Sequence, residues 1–234
     1  DLEGLTADEK AEVSLFYAQL RGFHDRQTLK KHGILFDKNA QAVLEQAAQQ
    51  LSVGHHITLS GDPGIAKSTL AKYVGMLNSK ANAAKPGLKE KHHKPVMIKL
   101  SSTSEAESFL SRQTFVNGTL GSELGLVGEA MRDGRVVILD EQNAMTPDQQ
   151  IFFNDLLLSK PGDIIQAGDK NIRILPGFAV IGTLNPLTDS QGNRRHGRQQ
   201  QDAANAARFE TIEIKYPGQA GYQGDPKETY TRLF

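Results

Sequence analysis

The chain has 234 residues, which is enough for one α/β domain with a substantial core or for two small domains. Its 27 lysine and arginine residues balance 27 aspartate and glutamate residues, and a net charge of zero argues against a dedicated nucleic-acid-binding protein. Hydrophobic residues make up 38% of the sequence, too many for a disordered chain, and the absence of cysteine excludes disulfides, thiol catalysis and zinc–thiolate sites.

Two helices are predicted before the first strand. The first runs from Thr6 or Asp8 to about Arg21, where apolar residues recur at spacings of three and four. The second covers residues 37–51, again with one apolar stripe, and we expect Gly54 to end it.

The middle of the chain alternates short apolar runs with helical patterns. The predicted strands are His56–Ser60, Val96–Leu100, Arg135–Leu139, Phe178–Leu184 and Thr211–Lys215. The predicted helices are Ser68–Asn78, Glu123–Arg132, which should end at Gly134, and Pro147–Ser159, with Thr146 as its N-cap. Strands that alternate with helices indicate crossover connections and a mainly parallel sheet, here covered on both faces.

Two kinds of segment interrupt this alternation. Asp163–Ala167 and Ile172–Leu175 flank a turn sequence at residues 168–171, which predicts a β-hairpin. Residues 80–94 and 188–202 are polar and have no period, so they are predicted to be loops.

A candidate phosphate-binding loop follows the first of these strands and opens a helix, which is the context of a P-loop. The predicted nucleotide-binding residues are Gly61, Asp62, Pro63, Gly64, Ile65, Ala66, Lys67, Ser68 and Thr69. Backbone N–H groups and the positive end of the helix would hold a polyphosphate there. Lys67 would reach the β- and γ-phosphates, and the Ser68 hydroxyl would bind Mg²⁺. The alternative is a Gly/Pro turn that needs no ligand.

Ala66 is a departure from the strict P-loop pattern, which has glycine at this position. An alanine in the left-handed region costs ~1–2 kcal/mol. We therefore predict an ordinary negative φ at Ala66.

Two acids, Asp140 and Glu141, follow the four apolar residues 136–139. The carboxyl end of a buried strand is where α/β proteins place their sites. Asp140 would hold Mg²⁺, and Glu141 would orient and deprotonate an attacking water. The alternative is a strand end with solvated acids, but the P-loop at another strand of the same sheet favours a shared site.

Two further polar residues complete the candidate set. Asn185 ends the predicted strand Phe178–Leu184 and can donate to both a water and a phosphate oxygen, although an asparagine before Pro186 also suits a simple turn. Arg208 precedes the last strand and offers a planar set of donors for phosphate. If Arg208 points away from its own site, it can complete that of a neighbouring subunit.

These pieces, in this order, resemble an AAA+ ATPase, and most closely the MoxR and midasin/dynein-related branch. The motifs that carry the resemblance are GDPGIAKS, VVILDEQNAM, GTLNP and AARFETIEI, and it covers about Gly33 to Tyr216. It implies a P-loop NTPase α/β sandwich of three layers around a parallel sheet of order 5-1-4-3-2. It also implies a helix-2 insert at Leu110–Gly125 and a hairpin before sensor 1 at Asp163–Leu175.

The resemblance also implies roles and partners. Asn185 would be sensor 1, and Arg208 an arginine finger acting in trans, with Arg195 and then Arg194 and Arg198 as alternatives. ATP and Mg²⁺ would be the cofactors, the chain would form a ring, expected to be a hexamer, and a partner with a von Willebrand A domain would be possible. The implied division is an N-terminal helical segment (1–32), the core (33–217) and a linker (218–234) toward a helical lid, so sensor 2 is not assigned.

Three functions are compatible with these residues. The first is an ATP-hydrolysing ring remodeller, the second a small-molecule kinase, and the third a nucleotide-bound assembly module without turnover. The acid pair and Asn185 favour water as the phosphate acceptor. ATP is favoured over GTP because the chain has no Asn-Lys-x-Asp motif.

The remaining signals point to a cytoplasmic protein without nucleic-acid contacts. No apolar run approaches the ~18 residues of a membrane span, and the polar start at residues 1–10 does not resemble a signal peptide. The basic run at residues 89–94 is expected to be a solvated loop. Adjacent histidines such as His55 and His56 point to opposite faces of a strand and rarely share a metal.

Overall fold

A computed structural model describes Thr6, residues 38–83, 94–100, 105–116, 118–187 and 203–215, and Gln219, Gly221 and Tyr222. The predicted first helix, apart from Thr6, and the predicted loop 188–202 lie outside the described residues. The division of the chain at residues 32 and 217 stays a prediction.

Helices and strands alternate along the described chain. The helices are α1 (Lys38–Ser52), α2 (Lys67–Ala83), α3 (Leu126–Asp133), α4 (Pro147–Leu158) and α5 (Ala203–Ala206), with short 3₁₀ turns at Glu107–Phe109 and Gln142–Ala144. The strands are β1 (His56–Ser60), β2 (Val96–Lys99), β3 (Ser111–Val116), β4 (Thr119–Leu124), β5 (Val136–Asp140), β6 (Ile164–Ala167), β7 (Lys170–Arg173), β8 (Ala179–Leu184) and β9 (Phe209–Glu213).

The main sheet has five strands in the order β2-β5-β8-β1-β9, and all its pairs are parallel. If the five strands of this sheet are numbered 1 to 5 in chain order, the order read from β9 is 5-1-4-3-2. The predicted topology is therefore confirmed. All five strands end at one edge, which therefore collects the residues that follow β1, β5 and β8.

The two faces of the sheet are buried in separate cores, which makes three layers. Alternate side chains such as Ile57, Ile138 and Ile181 pack with α1 and α2 on one face. Their neighbours, such as Val137 and Val180, pack with α3, α4 and the β6–β7 hairpin on the other face. Fully apolar strands are what a sheet covered on both faces requires.

Local capping signals set several helix boundaries as predicted. Thr146 caps α4 in a capping box, in which its hydroxyl accepts from the Gln149 N–H and the Gln149 side chain accepts from the Thr146 N–H. Gly134 ends α3 in the left-handed conformation at φ 64°.

Several predicted boundaries were wrong. The helix α2 continues to Ala83, past its predicted end at Asn78 and into the predicted loop 80–94, and β7 runs from Lys170 to Arg173 rather than from Ile172 to Leu175.

The helix predicted from Glu123 begins only at Leu126, because Thr119–Leu124 pairs with β3 and Gly125 serves as the N-cap, its carbonyl accepting from the Glu129 N–H. The last strand begins at Phe209 rather than Thr211, because Phe209 is buried and lies in register with His56 of β1.

Two antiparallel hairpins, β3–β4 and β6–β7, lie outside the main sheet at the predicted positions of the helix-2 insert and the pre-sensor-1 hairpin. They touch each other: the Ser122 hydroxyl donates to Asp169 Oδ1 and accepts from the Asp169 N–H, the latter over 3.0 Å. This hydrogen bonding lowers the pKa of the Asp169 carboxyl. Near the other end of the β3–β4 hairpin, Phe115 and Leu120 pair across the strands and are both exposed.

Candidate nucleotide-binding site

The loop after β1 folds tightly around its own backbone. Gly61 has no room for a side chain, since a Cβ there would lie 2.2 Å from Ile65 Cδ1 and 2.6 Å from the Ile214 carbonyl oxygen. Gly64 adopts φ 86°, a left-handed conformation that side chains disfavour. The glycines of the loop are therefore needed for its shape, and α2 begins at Lys67 directly after it.

The prediction of a negative φ at Ala66 was wrong, since φ is 60°. The carbonyl of Ala66 already accepts the N–H of Leu70, so Ala66 is the residue that turns the loop into α2. Reversing the chain in one residue requires the left-handed conformation, which is where the strict pattern has glycine. The loop therefore contains a strain of ~1–2 kcal/mol at this position.

Lys67 is held inside the loop. Its side chain is buried, and its ammonium donates to the carbonyls of Gly61 and Asp62, both over 2.7 Å. The first turn of α2 contains no acidic residue, so the positive end of the helix is not neutralised there. The loop thus combines a cation with a helix N-terminus, an arrangement suited to phosphate.

The acids of β5 meet this loop at the same edge of the sheet. Ser68 Oγ donates to Asp140 Oδ1 over 2.6 Å, and Thr183 Oγ1 donates to the same oxygen over 2.8 Å. The Glu141 N–H in turn donates to Thr183 Oγ1 over 3.0 Å. One hydrogen-bonded network thus joins the side chains of Ser68, Asp140 and Thr183.

Glu141 itself is exposed and adopts φ 59°. Ala66 and Glu141 are the two non-glycine residues with positive φ in the part of the chain that the structure describes, and both lie at this edge of the sheet. Backbone strain of this kind clusters at functional sites.

Asn185 lies beside the acids, as β8 lies between β5 and β1. It is buried, and its backbone carbonyl accepts from Asn143 Nδ2 over 2.7 Å. The structure therefore brings Lys67, Ser68, Asp140 and Asn185 to one edge of the sheet.

Sequence reasoning missed the buried polar side chains that support these residues: Thr58 and Thr183 in the strands, and Gln142 and Asn143 in the turn after β5. Thr58 Oγ1 donates to Gln142 Oε1 over 3.1 Å, and Gln142 is fully buried. Gln142 covers Gly182 so closely that a Cβ on this glycine would lie 1.9 Å from Gln142 Oε1. The available signal was the polar content of strands that are otherwise apolar, HITLS and AVIGTL.

Arg208 lies at the opposite edge. It directly precedes Phe209, which pairs with His56 at the start of β1, whereas the P-loop follows the end of β1. The five residues of β1 lie between the two, so they are separated by about 20 Å along the strand at the usual rise. Arg208 Nη1 donates to the Ala204 carbonyl, and its buried Nε has no partner among the described residues. Arg194, Arg195 and Arg198 lie outside the described residues.

A cavity of about 300 Å³ opens beside Arg208, and His55, Lys160 and Glu210 contribute to its lining. His56, which also lines it, is buried with both ring nitrogens bonded: Nδ1 accepts from the Val180 N–H, so Nε2 carries the proton donated to the Leu157 carbonyl. Burial lowers the pKa of His56 to about 4, so its ring is neutral at pH 7.

The oxygen atoms available as metal ligands at the P-loop edge fit Mg²⁺. A hydroxyl and a carboxylate, from Ser68 and Asp140, already lie within hydrogen-bonding distance of each other. Mg²⁺ prefers oxygen ligands and usually takes one or two from the protein and the rest from phosphates and water. The described part of the chain contains no cluster of three or more histidine or acidic residues that could hold a metal ion by itself. Among the described helices, none is both long and apolar enough to cross a bilayer.

Comparisons with known proteins agree with this geometry. Residues 56–209, more than half of the chain, match the family model of the AAA domain (dynein-related subfamily). A search of curated protein sequences gave no significant match. Among solved structures, a candidate ATPase from Cytophaga hutchinsonii ATCC 33406 is similar, with a TM-score of 0.58 and 16% identity over 97% of this chain and 57% of that one.

This structural likeness concerns the fold, and the chain spans just over half the length of that protein. The family match covers every element from β1 to the start of β9, including the P-loop, the acid pair and Asn185. The chain therefore belongs to the dynein-related subfamily of AAA domains, a family of nucleotide-binding modules.

Proposed function

We propose that this chain is the ATP-hydrolysing module of a ring-forming remodelling ATPase. The observation that carries the proposal is the contact between Ser68 of the P-loop helix and Asp140 of β5, which puts the two halves of a phosphate site within 2.6 Å of each other. A P-loop with an adjacent acid pair is the arrangement that phosphoryl transfer uses.

Each residue has a distinct part in this reaction. Lys67 would leave the carbonyls of Gly61 and Asp62 for the phosphates, which are stronger acceptors because they are charged. Ser68 and Asp140 would hold Mg²⁺, which when bound neutralises charge that develops on the β- and γ-phosphates.

Water is the acceptor that the site favours. Glu141 projects from a strained, exposed position directly after β5 and would take the proton of the attacking water. Asn185, on the neighbouring strand, would orient this water against the γ-phosphate. A kinase would instead need an acid aligned with the hydroxyl of a metabolite.

The site would be completed by a neighbouring subunit. Arg208 lies about 20 Å along the strand direction from its own P-loop, at the other edge of the sheet. An arginine so placed can reach a nucleotide only in another copy of the chain, which supports an arginine finger in trans and a ring, a hexamer by resemblance. A protein substrate, and a partner with a von Willebrand A domain, belong to the same proposal through the MoxR-like motifs alone.

The decisive experiment compares the wild-type chain with E141Q. We expect E141Q to bind a fluorescent ATP analogue with unchanged Kd, and kcat for phosphate release to fall by ~10²–10⁴ because the base is lost. Wild-type activity per subunit should also rise with protein concentration, since the finger comes from a neighbour.

Three results would contradict the proposal. Phosphate release that is unchanged in E141Q would indicate a nucleotide-bound assembly module. A phosphorylated metabolite in place of free phosphate would indicate a kinase. A rate per subunit that does not depend on concentration would argue against catalysis in trans.

A further inference from the structure

The turn after β5 carries the proposed base and also contacts the proposed sensor. Asn143 follows Glu141 by two residues in this turn, is 2% exposed, and donates from Nδ2 to the backbone carbonyl of Asn185 over 2.7 Å. It is thus a direct link between the segment that holds Glu141 and the end of β8.

The bond to Asn143 fixes a part of the chain that is already restricted. Asn185 precedes Pro186, whose ring confines the preceding residue to extended conformations. The hydrogen bond to the Asn185 carbonyl then fixes the plane of the peptide between them. With the backbone fixed on this side, the direction in which the Asn185 side chain leaves it is also fixed.

Asn143 is not explained by packing alone. Its Oδ1 is buried and has no partner among the described residues, and such an atom costs ~1–3 kcal/mol. A branched apolar side chain would fill the same space without this cost. Asparagine at this position therefore indicates that the donor Nδ2 is needed.

We propose that Asn143 is a positioning residue that holds Asn185 in register with Glu141. The inference rests on the proposed function, because the reaction requires the base and the amide to face the same water molecule. Groups that activate one water must be placed to within a fraction of an ångström, and a shift of about 1 Å can cost a factor of 10² in rate.

The test uses two variants of Asn143 and a matched control. N143L keeps a branched side chain but removes the donor and the unpartnered oxygen, and N143A removes both with most of the side chain. Asn78 is the control: it is also buried, and its Nδ2 donates to the Gly177 carbonyl over 3.5 Å just before β8, at the opposite edge of the sheet.

We expect kcat to fall about ten- to hundredfold in both Asn143 variants, while the Kd of the ATP analogue changes by less than about twofold. N143L removes the unpartnered Oδ1 but also the hydrogen bond to the Asn185 carbonyl, and these two effects oppose each other, so its unfolding temperature should stay close to that of the wild type and its slow turnover would not result from lost stability. N78A should lose stability but keep its kcat. Unchanged kcat in N143L, or an equal loss of kcat in N78A, would overturn the role of Asn143.

A double variant tests whether Asn143 acts through Asn185. On an N185A background, N143L should have almost no further effect on kcat, because the side chain it positions is gone. If N143L costs the same factor on both backgrounds, the positioning role is refuted. If the wild type hydrolyses ATP and N143L is as fast, this inference alone fails; if the wild type binds ATP without hydrolysing it, the proposed function fails with it.

Discussion

The carboxyl edge of the main sheet, where its strands end, and the amino edge, where they begin, differ in backbone strain and in hydrogen bonding, although the same strands form both. At the carboxyl edge, two residues lie in strained left-handed conformations and a buried lysine bonds to the carbonyls of its own loop. At the amino edge, His56 has both ring nitrogens bonded and lies between the rings of Phe178 and Phe209. Backbone strain thus lies at the proposed nucleotide site, and the buried histidine at the other edge has its hydrogen bonds satisfied.

Arg208 is the exception at the amino edge. Its Nε is buried without a partner among the described residues, in an edge that otherwise satisfies its polar groups. This difference supports the proposed division, in which the carboxyl edge would hold a subunit's own site and the amino edge would supply the arginine for another subunit. Variants at both edges test this proposed division.

R208A should reduce kcat by ~10³–10⁵, the contribution of an arginine finger, and leave the Kd of the ATP analogue unchanged. Phosphate release and fluorescence titration measure the two quantities. The control mixes R208A with E141Q: mixed rings contain sites with Glu141 that face a neighbour with Arg208, so the mixture should regain activity that neither variant has. A mixture as inactive as its components would contradict a role in trans.

Acid should destabilise the amino edge through His56. The ring stays neutral in the folded chain down to pH about 4, but the unfolded chain takes up a proton below its ordinary pKa of 6.5. The stabilisation is therefore complete above pH 6.5, and about 3 kcal/mol of it is lost as the pH falls from there to about 4. Denaturant unfolding at several pH values measures this.

Two variants isolate the contribution of His56. H56Q should be less stable at pH 7 but should lose less stability between pH 7 and pH 4 than the wild type. H55Q is the matched control, since His55 is exposed and bonds the Gln50 side chain; its charge is the smallest of the causes that act on the pKa of His56, so H55Q should keep nearly all of the wild-type slope. An H56Q slope equal to that of the wild type would show that another group causes the pH dependence.

G182A should cost ~1–3 kcal/mol of unfolding free energy, because its Cβ would overlap the buried amide of Gln142. Turnover should fall as well, since Gln142 lies in the turn that follows Glu141. G121A is the control: this glycine is also within a strand, and a Cβ there meets nothing closer than 3.8 Å. If the two variants unfold at the same denaturant concentration, Gln142 is free to move aside.

A66G should stabilise the nucleotide-free chain by about 1 kcal/mol, because glycine adopts φ 60° without the penalty of a Cβ. Thermal unfolding without nucleotide measures the difference. A Ser68→Gly variant, at a helical position, should be destabilised instead. A lower melting temperature for A66G would mean that the alanine methyl group makes a contact worth more than the strain.

The fold could be predicted from the sequence because its signals are local. Apolar runs predicted the strands, and Thr146 and Gly134 predicted one boundary each of two helices. The family motifs predicted the strand order. The boundary at Gly125 failed because Leu124, Val127 and Met131 continue an apolar spacing across it, and only the pairing of β4 with β3 shows where the helix starts.

The site could be predicted in part, for a related reason. Lys67, Ser68, Asp140 and Asn185 follow strands, so topology alone brings them to one edge. Thr183, Gln142 and Asn143 could not be placed, since their partners depend on which side chains face each other across three strands. The prediction of a negative φ at Ala66 was wrong because it gave the energetic penalty of alanine at positive φ more weight than the turn that the loop has to make before α2.

The hydrogen bonds between Ser122 and Asp169 join two hairpins that the chain inserts far apart. The β3–β4 hairpin leads through α3 into the strand that ends at Asp140, and the β6–β7 hairpin leads into the strand that Asn185 follows. A displacement of either hairpin therefore acts on the other through these hydrogen bonds, and so on both strands of the candidate site.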